Sequence, residues 1–154
     1  MTNLQRLTEL DLSDQRRRFP NLPETLIIKT KFSDKDTNSL TRSVVRWLEL
    51  HGAQVERINT TGRYLPGKTI SKGFYGNVNM KGKYIPSTST SGSADLSSTI
   101  NGKSIKWEIK CKYTKDRVRP KQLEYAESVR NAGGLYFIVT DFENFIEQYN
   151  SIMK

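Results

Sequence analysis

The sequence predicts an α/β fold whose elements run helix, strand, hairpin, helix, strand, helix. Three observations predict it. Apolar residues recur at helical spacing in several segments, Leu135–Val139 is an unbroken apolar run preceded by Gly133-Gly134, and Asn101-Gly102 joins two alternating runs. Helical period, a short apolar block and an Asn-Gly turn are the local signatures of helix, buried strand and hairpin.

Each element has its own reason. Residues 1–35 read as an N-terminal extension to a single domain over 36–154. Leu4, Leu7 and Leu10 have helical spacing, but Pro20 and Pro23 break it, and Thr25–Lys29 extends as a short strand. Arg16–Arg18 is either a nucleic-acid contact or a solvated turn. The spacing of Leu40, Val44, Trp47 and Leu48 predicts a helix over 38–50, capped by Asp36 or Asn38 and ended by Gly52. Gln54–Ile58 follows as a strand, with Val55 and Ile58 as its apolar anchors. Residues 59–93 show no sustained period and read as one long loop. Beyond the hairpin, Lys112–Arg119 is a basic loop and Pro120 suits the first turn of a helix. Leu123, Ala126 and Val129 mark that helix's apolar face. Thr140-Asp-Phe-Glu143 reads as a capping box for a last helix, buried through Phe142, Phe145, Ile146, Tyr149 and Ile152.

Composition narrows the partners. Of 154 residues, 25 are Lys or Arg and 16 Asp or Glu, a formal net charge of +9 that favours a polyanion. No run approaches the roughly 18 apolar residues of a membrane-spanning helix. The first thirty residues lack the apolar segment of a signal peptide, so a cytoplasmic setting is expected. One cysteine and one histidine exclude a disulfide within the chain and a structural zinc site built on Cys and His. Between Arg57 and Ala94 there is no acid, while Arg57, Arg63, Lys68, Lys72, Lys81 and Lys83 alternate with Tyr64, Phe74, Tyr75 and Tyr84. Cations pair with phosphates and aromatic faces stack on unpaired bases, so the segment reads as DNA-engaging, or else as a loop whose aromatics pack on the core.

The chemistry concentrates at the hairpin. With Asn101-Gly102 as a two-residue loop, Ile100 faces Lys103, Ser97 faces Lys106, Leu96 faces Trp107 and Asp95 faces Glu108. Opposed carboxylates repel unless a cation lies between them. Alternation places Lys106, Glu108 and Lys110 on one face and Ile105, Trp107 and Ile109 on the core side, with Ala94 and Leu96 also on the core side. Asp95 and Glu108 offer hard oxygen ligands for Mg²⁺ or Mn²⁺, the Ile109 carbonyl lies where it can add a further one, and Lys110 can stabilise charge on a phosphate. The bland alternative is a solvent-exposed hairpin carrying a Glu108–Lys110 or Asp95–Lys106 ion pair. His51 is read as a helix C-terminal cap in preference to a general base, and Cys111 and Trp107 as core.

Gly92-Ser93-Ala94-Asp95, Trp107-Glu108-Ile109-Lys110 and Gln122 ahead of Gly133-Gly134 resemble the VRR-NUC family of the PD-(D/E)XK nuclease superfamily. The likeness extends through 38–52 and Arg57–Arg63, covers roughly residues 36–150, and is to the small standalone members of bacteriophages and bacteria. It implies a restriction-endonuclease-like core, a mixed sheet flanked by helices, with Mg²⁺ or Mn²⁺ dependence. It also implies endonuclease action on DNA as a homodimer, selective for Holliday-junction or other branched DNA in replication, recombination or repair. Asp95 and Glu108 would be metal ligands, Lys110 the catalytic lysine and Gln122 a supporting glutamine. Where many members carry a glutamate on the first helix, this chain has Asn38, with Thr41 nearby, to hold metal-bound water. Expected DNA contacts are Arg57, Asn59, Arg63, Lys68, Lys72, Tyr75, Lys112, Lys115, Arg117 and Arg119. A restriction-like or flap-directed nuclease, or a non-catalytic DNA-binding module, are the alternatives.

Overall fold

Four strands form the central sheet in the order β1 (Gln54–Arg57), β6 (Leu96–Ile100), β7 (Lys103–Ile109) and β8 (Leu135–Val139). The computed structural model of the chain describes every residue except 59–61, 72, 73, 75 and 88. The β1/β6 and β6/β7 pairs are antiparallel and β7/β8 is parallel, so the sheet is mixed. Asn101 and Gly102 both take positive φ, at 49° and 76°, as a type I′ turn requires. The predicted register follows, with Leu96 opposite Trp107 and Ile100 opposite Lys103.

That register divides the sheet into two faces. Leu96, Ile100, Ile105, Trp107, Ile109 and Val139 enter the main core, and Trp107 Nε1 donates to Ser98 Oγ at 2.8 Å. Against them pack α2 (Thr37–Leu50) and α4 (Phe142–Ile152). Asp36 caps α2 by accepting from Ser39 N–H, and His51 ends it, with Nδ1 2.8 Å from the Trp47 carbonyl and its ring stacked on Trp47. Asp141 caps α4 through the Asn144 N–H. The expected Thr140–Glu143 box does not form, because the helix starts one residue later with Asp141 as its cap, and Glu143 accepts from Asn3 instead. The opposite face is roofed by α3 (Pro120–Asn131), which connects β7 to β8 and packs Ala126, Tyr125 and Val129 on Tyr136 and Ile138. Ala94 joins this second cluster and not the main core, because it precedes the strand and escapes its alternation. Leu123 is exposed, contrary to expectation, because the face turned to the sheet is the 122/125/126/129 stripe.

Residues 1–35 are not an appendage. They hold α1 (Asn3–Arg18), capped by a Thr2–Gln5 box, and Leu7 is fully buried in the main core. Asp11 and Asp14 face inward and meet Arg46 of α2, Nε to Asp11 Oδ1 at 2.6 Å and Nη2 to Asp14 Oδ2 at 2.7 Å. Thr25–Lys29 is not a strand. A 3₁₀ turn over Glu24–Leu26 leads into unpaired extended chain.

The long segment after β1 is also more ordered than predicted. β2 (Arg63–Leu65) pairs antiparallel with β5 (Lys83–Ile85), and β3 (Lys68–Ser71) with β4 (Asn77–Met80). Nested in this way, the four short strands make one two-stranded ribbon outside the central sheet.

Candidate active site

The turn and the parallel β7/β8 pairing together build the site. Glu108 projects from β7 toward α3, opposite Ile138, and with only 1% of its surface exposed it is among the most buried side chains of the protein. A carboxylate so placed needs donors. Gln122 Nε2 donates to Oε1, Lys110 Nζ lies 3.0 Å from the same oxygen, and Tyr136 Oη donates to Oε2 at 3.3 Å. Gln122 is itself fixed, because its Oε1 accepts the Arg119 N–H at 2.8 Å at the start of α3.

Asp95 lies one residue before β6, at the end of the ladder. Its Oδ2 accepts the Ile109 N–H at 2.9 Å, and its carbonyl accepts the Ile58 N–H at 2.8 Å, which ties the end of β1 to the site. Since the neighbouring Lys110 N–H bonds Val139 of β8, the Ile109 peptide groups point to the other side, toward Asp95. Burial first, and then the negative charge of Asp95, push the Glu108 carboxyl above its usual range; Lys110 and Tyr136 offset only part of this. Burial also pushes the Tyr136 phenol up, with Glu108 adding to it, so it remains a donor. Burial opposes the charge on Lys110, but Asp116, whose Oδ2 is 2.9 Å from Nζ, and Glu108 outweigh it and hold the ammonium above the ordinary lysine value. Lys110 is therefore a fixed cation and not a proton acceptor.

The Glu108–Lys110 ion pair exists, but as a buried pair and not as the solvent-exposed one of the bland alternative. The Asp95–Lys106 pair does not form; Lys106 Nζ donates to Ser97 Oγ. Asn38 Oδ1 accepts from Arg57 Nη2 at 3.1 Å, which joins two predicted site residues to each other. Thr41 Oγ1 is spent on the Thr37 carbonyl. Lys112 is drawn to Asp141, Nζ to Oδ2 at 3.0 Å, while about half of its side chain stays exposed. Arg57, Arg63, Lys68, Lys115, Arg117 and Arg119 are exposed, whereas Asn59, Lys72 and Tyr75 lie outside the described residues. Tyr136 and Asp116 were missed: the hydroxyl hides in an apolar run, and the acid in a basic loop. A polar atom inside an otherwise apolar strand was the available signal for Tyr136.

The chemistry of the donors fits a hard divalent cation. Asp95 and Glu108 repel each other, and a cation shared between them relieves that repulsion. Among the described residues no three Asp, Glu, His or Cys side chains converge in a group that could hold a metal ion, so an ion here would rest on Asp95, Glu108 and nearby backbone oxygen. Mg²⁺ and Mn²⁺ tolerate such sparse ligation because they keep several waters. No family model matches the chain, and no curated protein matches it. Among the described residues no helix is long and apolar enough to cross a membrane.

Proposed function

We propose that this chain is a Mg²⁺- or Mn²⁺-dependent DNA endonuclease of the VRR-NUC type, acting as a homodimer on branched DNA. The observation that carries the reading is the burial of Glu108 beside Asp95 with three aimed donors. A carboxylate kept in that setting costs stability, and perturbed acids of this kind cluster at functional sites. The net charge of +9 supports a polyanionic substrate.

In this reading Asp95 and Glu108 hold the ion, and the Ile109 carbonyl is available to it. When bound, the ion polarises a phosphoryl oxygen and makes water a stronger nucleophile. Gln122 and Tyr136 keep the Glu108 carboxylate in one orientation, so its oxygens need not reorganise. Lys110, held cationic by Asp116 and Glu108, donates toward the phosphate as negative charge develops there.

The test is cleavage of labelled four-way, flap, linear duplex and single-stranded DNA by the protein and its Glu108→Ala variant, with Mg²⁺, Mn²⁺ or EDTA. The expected result is metal-dependent cutting of the four-way junction that EDTA and Glu108→Ala abolish. No metal-dependent cutting of any substrate sinks the enzyme reading, and cutting confined to a fixed sequence in linear duplex sinks the junction reading. Light scattering tests the dimer.

A further inference from the structure

The two-stranded ribbon that follows β1 presents a face whose composition the active site does not explain. Three of its directly opposed pairs are Arg63 with Ile85, Leu65 with Lys83, and Lys68 with Met80, followed by the apolar pair Ile70 with Val78. In each of the first three pairs one member is a cation and the other apolar. With Lys81, these cations rim a concavity of about 560 Å³ floored by Leu65, Pro66 and Met80. Among the described residues none of the four cations has a carboxylate partner, and no acid occurs between Arg57 and Ala94 to supply one. The other face has a structural task. Tyr64 and Tyr84 lie opposite each other, and each ring covers a glycine, Tyr84 over Gly62 and Tyr64 over Gly82. Aromatic cover of strand glycines stiffens a ribbon that has no second sheet behind it.

We infer that this ribbon is a clamp for the sugar–phosphate backbone of a DNA arm, holding substrate outside the cleavage site. A nucleic-acid strand combines phosphates with apolar sugar faces, and the concave surface sets Arg63, Lys68, Lys81 and Lys83 beside Leu65, Pro66 and Met80. Arg63–Lys68 spans about 17 Å at ~3.3 Å per residue, the axial rise of about five nucleotides of one strand. Such contacts set affinity and register without reading sequence. The inference rests on the nuclease reading for the identity of the polyanion. An anionic membrane is an outcome of the test.

The experiment compares the full-length protein with R63A/K68A/K81A/K83A and with K29A/K31A, exposed lysines outside the ribbon. Binding to a fluorescent linear duplex is followed in EDTA across a salt series, with circular dichroism to verify folding. The expected result is a slope of log affinity against log salt that is shallower by about 3–4, with binding about 10- to 100-fold weaker at low salt. K29A/K31A should shift the slope by less. An unchanged slope in a ribbon variant whose parent cuts DNA overturns the clamp and leaves the nuclease standing. A reduced slope in a protein that cuts nothing keeps the clamp and sinks the nuclease. Ribbon-dependent binding to anionic vesicles with no change toward DNA overturns the clamp in favour of a membrane surface.

Discussion

Replacing Arg46 by Ala tests how far the first eighteen residues belong to the domain. Its guanidinium joins Asp11 and Asp14 of α1 to α2, with a longer contact to Glu49 at 3.4 Å. Removal does not strand all three acids. Asp14 keeps Arg17 and Arg18, and Glu49 is exposed enough for water to replace the loss. The cost falls on Asp11, which is 4% exposed and keeps Gln15 Nε2 as its side-chain donor. A buried carboxylate deprived of its cation costs several kcal/mol, and partial cover by Gln15 brings this to about 2–4 kcal/mol. In a domain of this size that lowers Tm by about 5–12 °C. Calorimetry at neutral pH measures the shift, and limited proteolysis shows whether α1 is released first. Removing Asp11 together with Arg46, both to Leu, should recover part of the loss because no unpaired charge remains. A Tm within about 1 °C of the parent would refute the argument that this cluster fastens α1 to α2.

Four other outcomes follow from the same geometry. Gln122→Ala removes one donor from Glu108 and its tie to the Arg119 amide, and is expected to lower kcat by about 10- to 100-fold while leaving duplex affinity in EDTA unchanged. Gly92→Ala places a Cβ against the Lys121 carbonyl at φ 83°, so it should cost about 2–4 kcal/mol in thermal unfolding and lower activity by displacing Gln122. Glu108→Gln should raise Tm at pH 8, because the carboxylate's pKa lies above its unfolded value and its charge therefore destabilises the fold; the advantage should shrink as pH falls. Asp14 behaves oppositely: chiefly the Arg17 hydrogen bond, aided by Arg46, holds its pKa down from 3.8 to about 2. Its stabilisation is thus complete above pH 4 and lost as pH falls toward 2. With Arg17 and Arg18 largely in water, the gap between parent and Asp14→Asn in urea titrations should close by about 1–2 kcal/mol over that range.

The sheet and its carboxylates were legible because their signals are local. An Asn-Gly turn needs positive φ at two residues, and that requirement sets every pair of the β6/β7 ladder without long-range information. Gln122 became legible through resemblance, and the helix it opens faces Glu108. Two parts resisted for physical reasons. In α1 the inward positions carry Asp11 and Asp14 as well as leucines, so the stripe looks half solvated until Arg46, more than thirty residues away, neutralises it. In the ribbon each strand is three or four residues long and exposed on both faces, so no apolar period records it. Glycines and Pro66 interrupt what alternation there is.

Trp107 and Glu108 are sequence neighbours, both almost wholly removed from solvent, yet committed to opposite sides of one strand. A one-residue slip of β7 against its neighbours would send the indole toward α3 and the carboxylate into the main core. Core and candidate site would be lost in one event. The Asn101-Gly102 turn, whose two positive-φ residues set that register, therefore guards both at once.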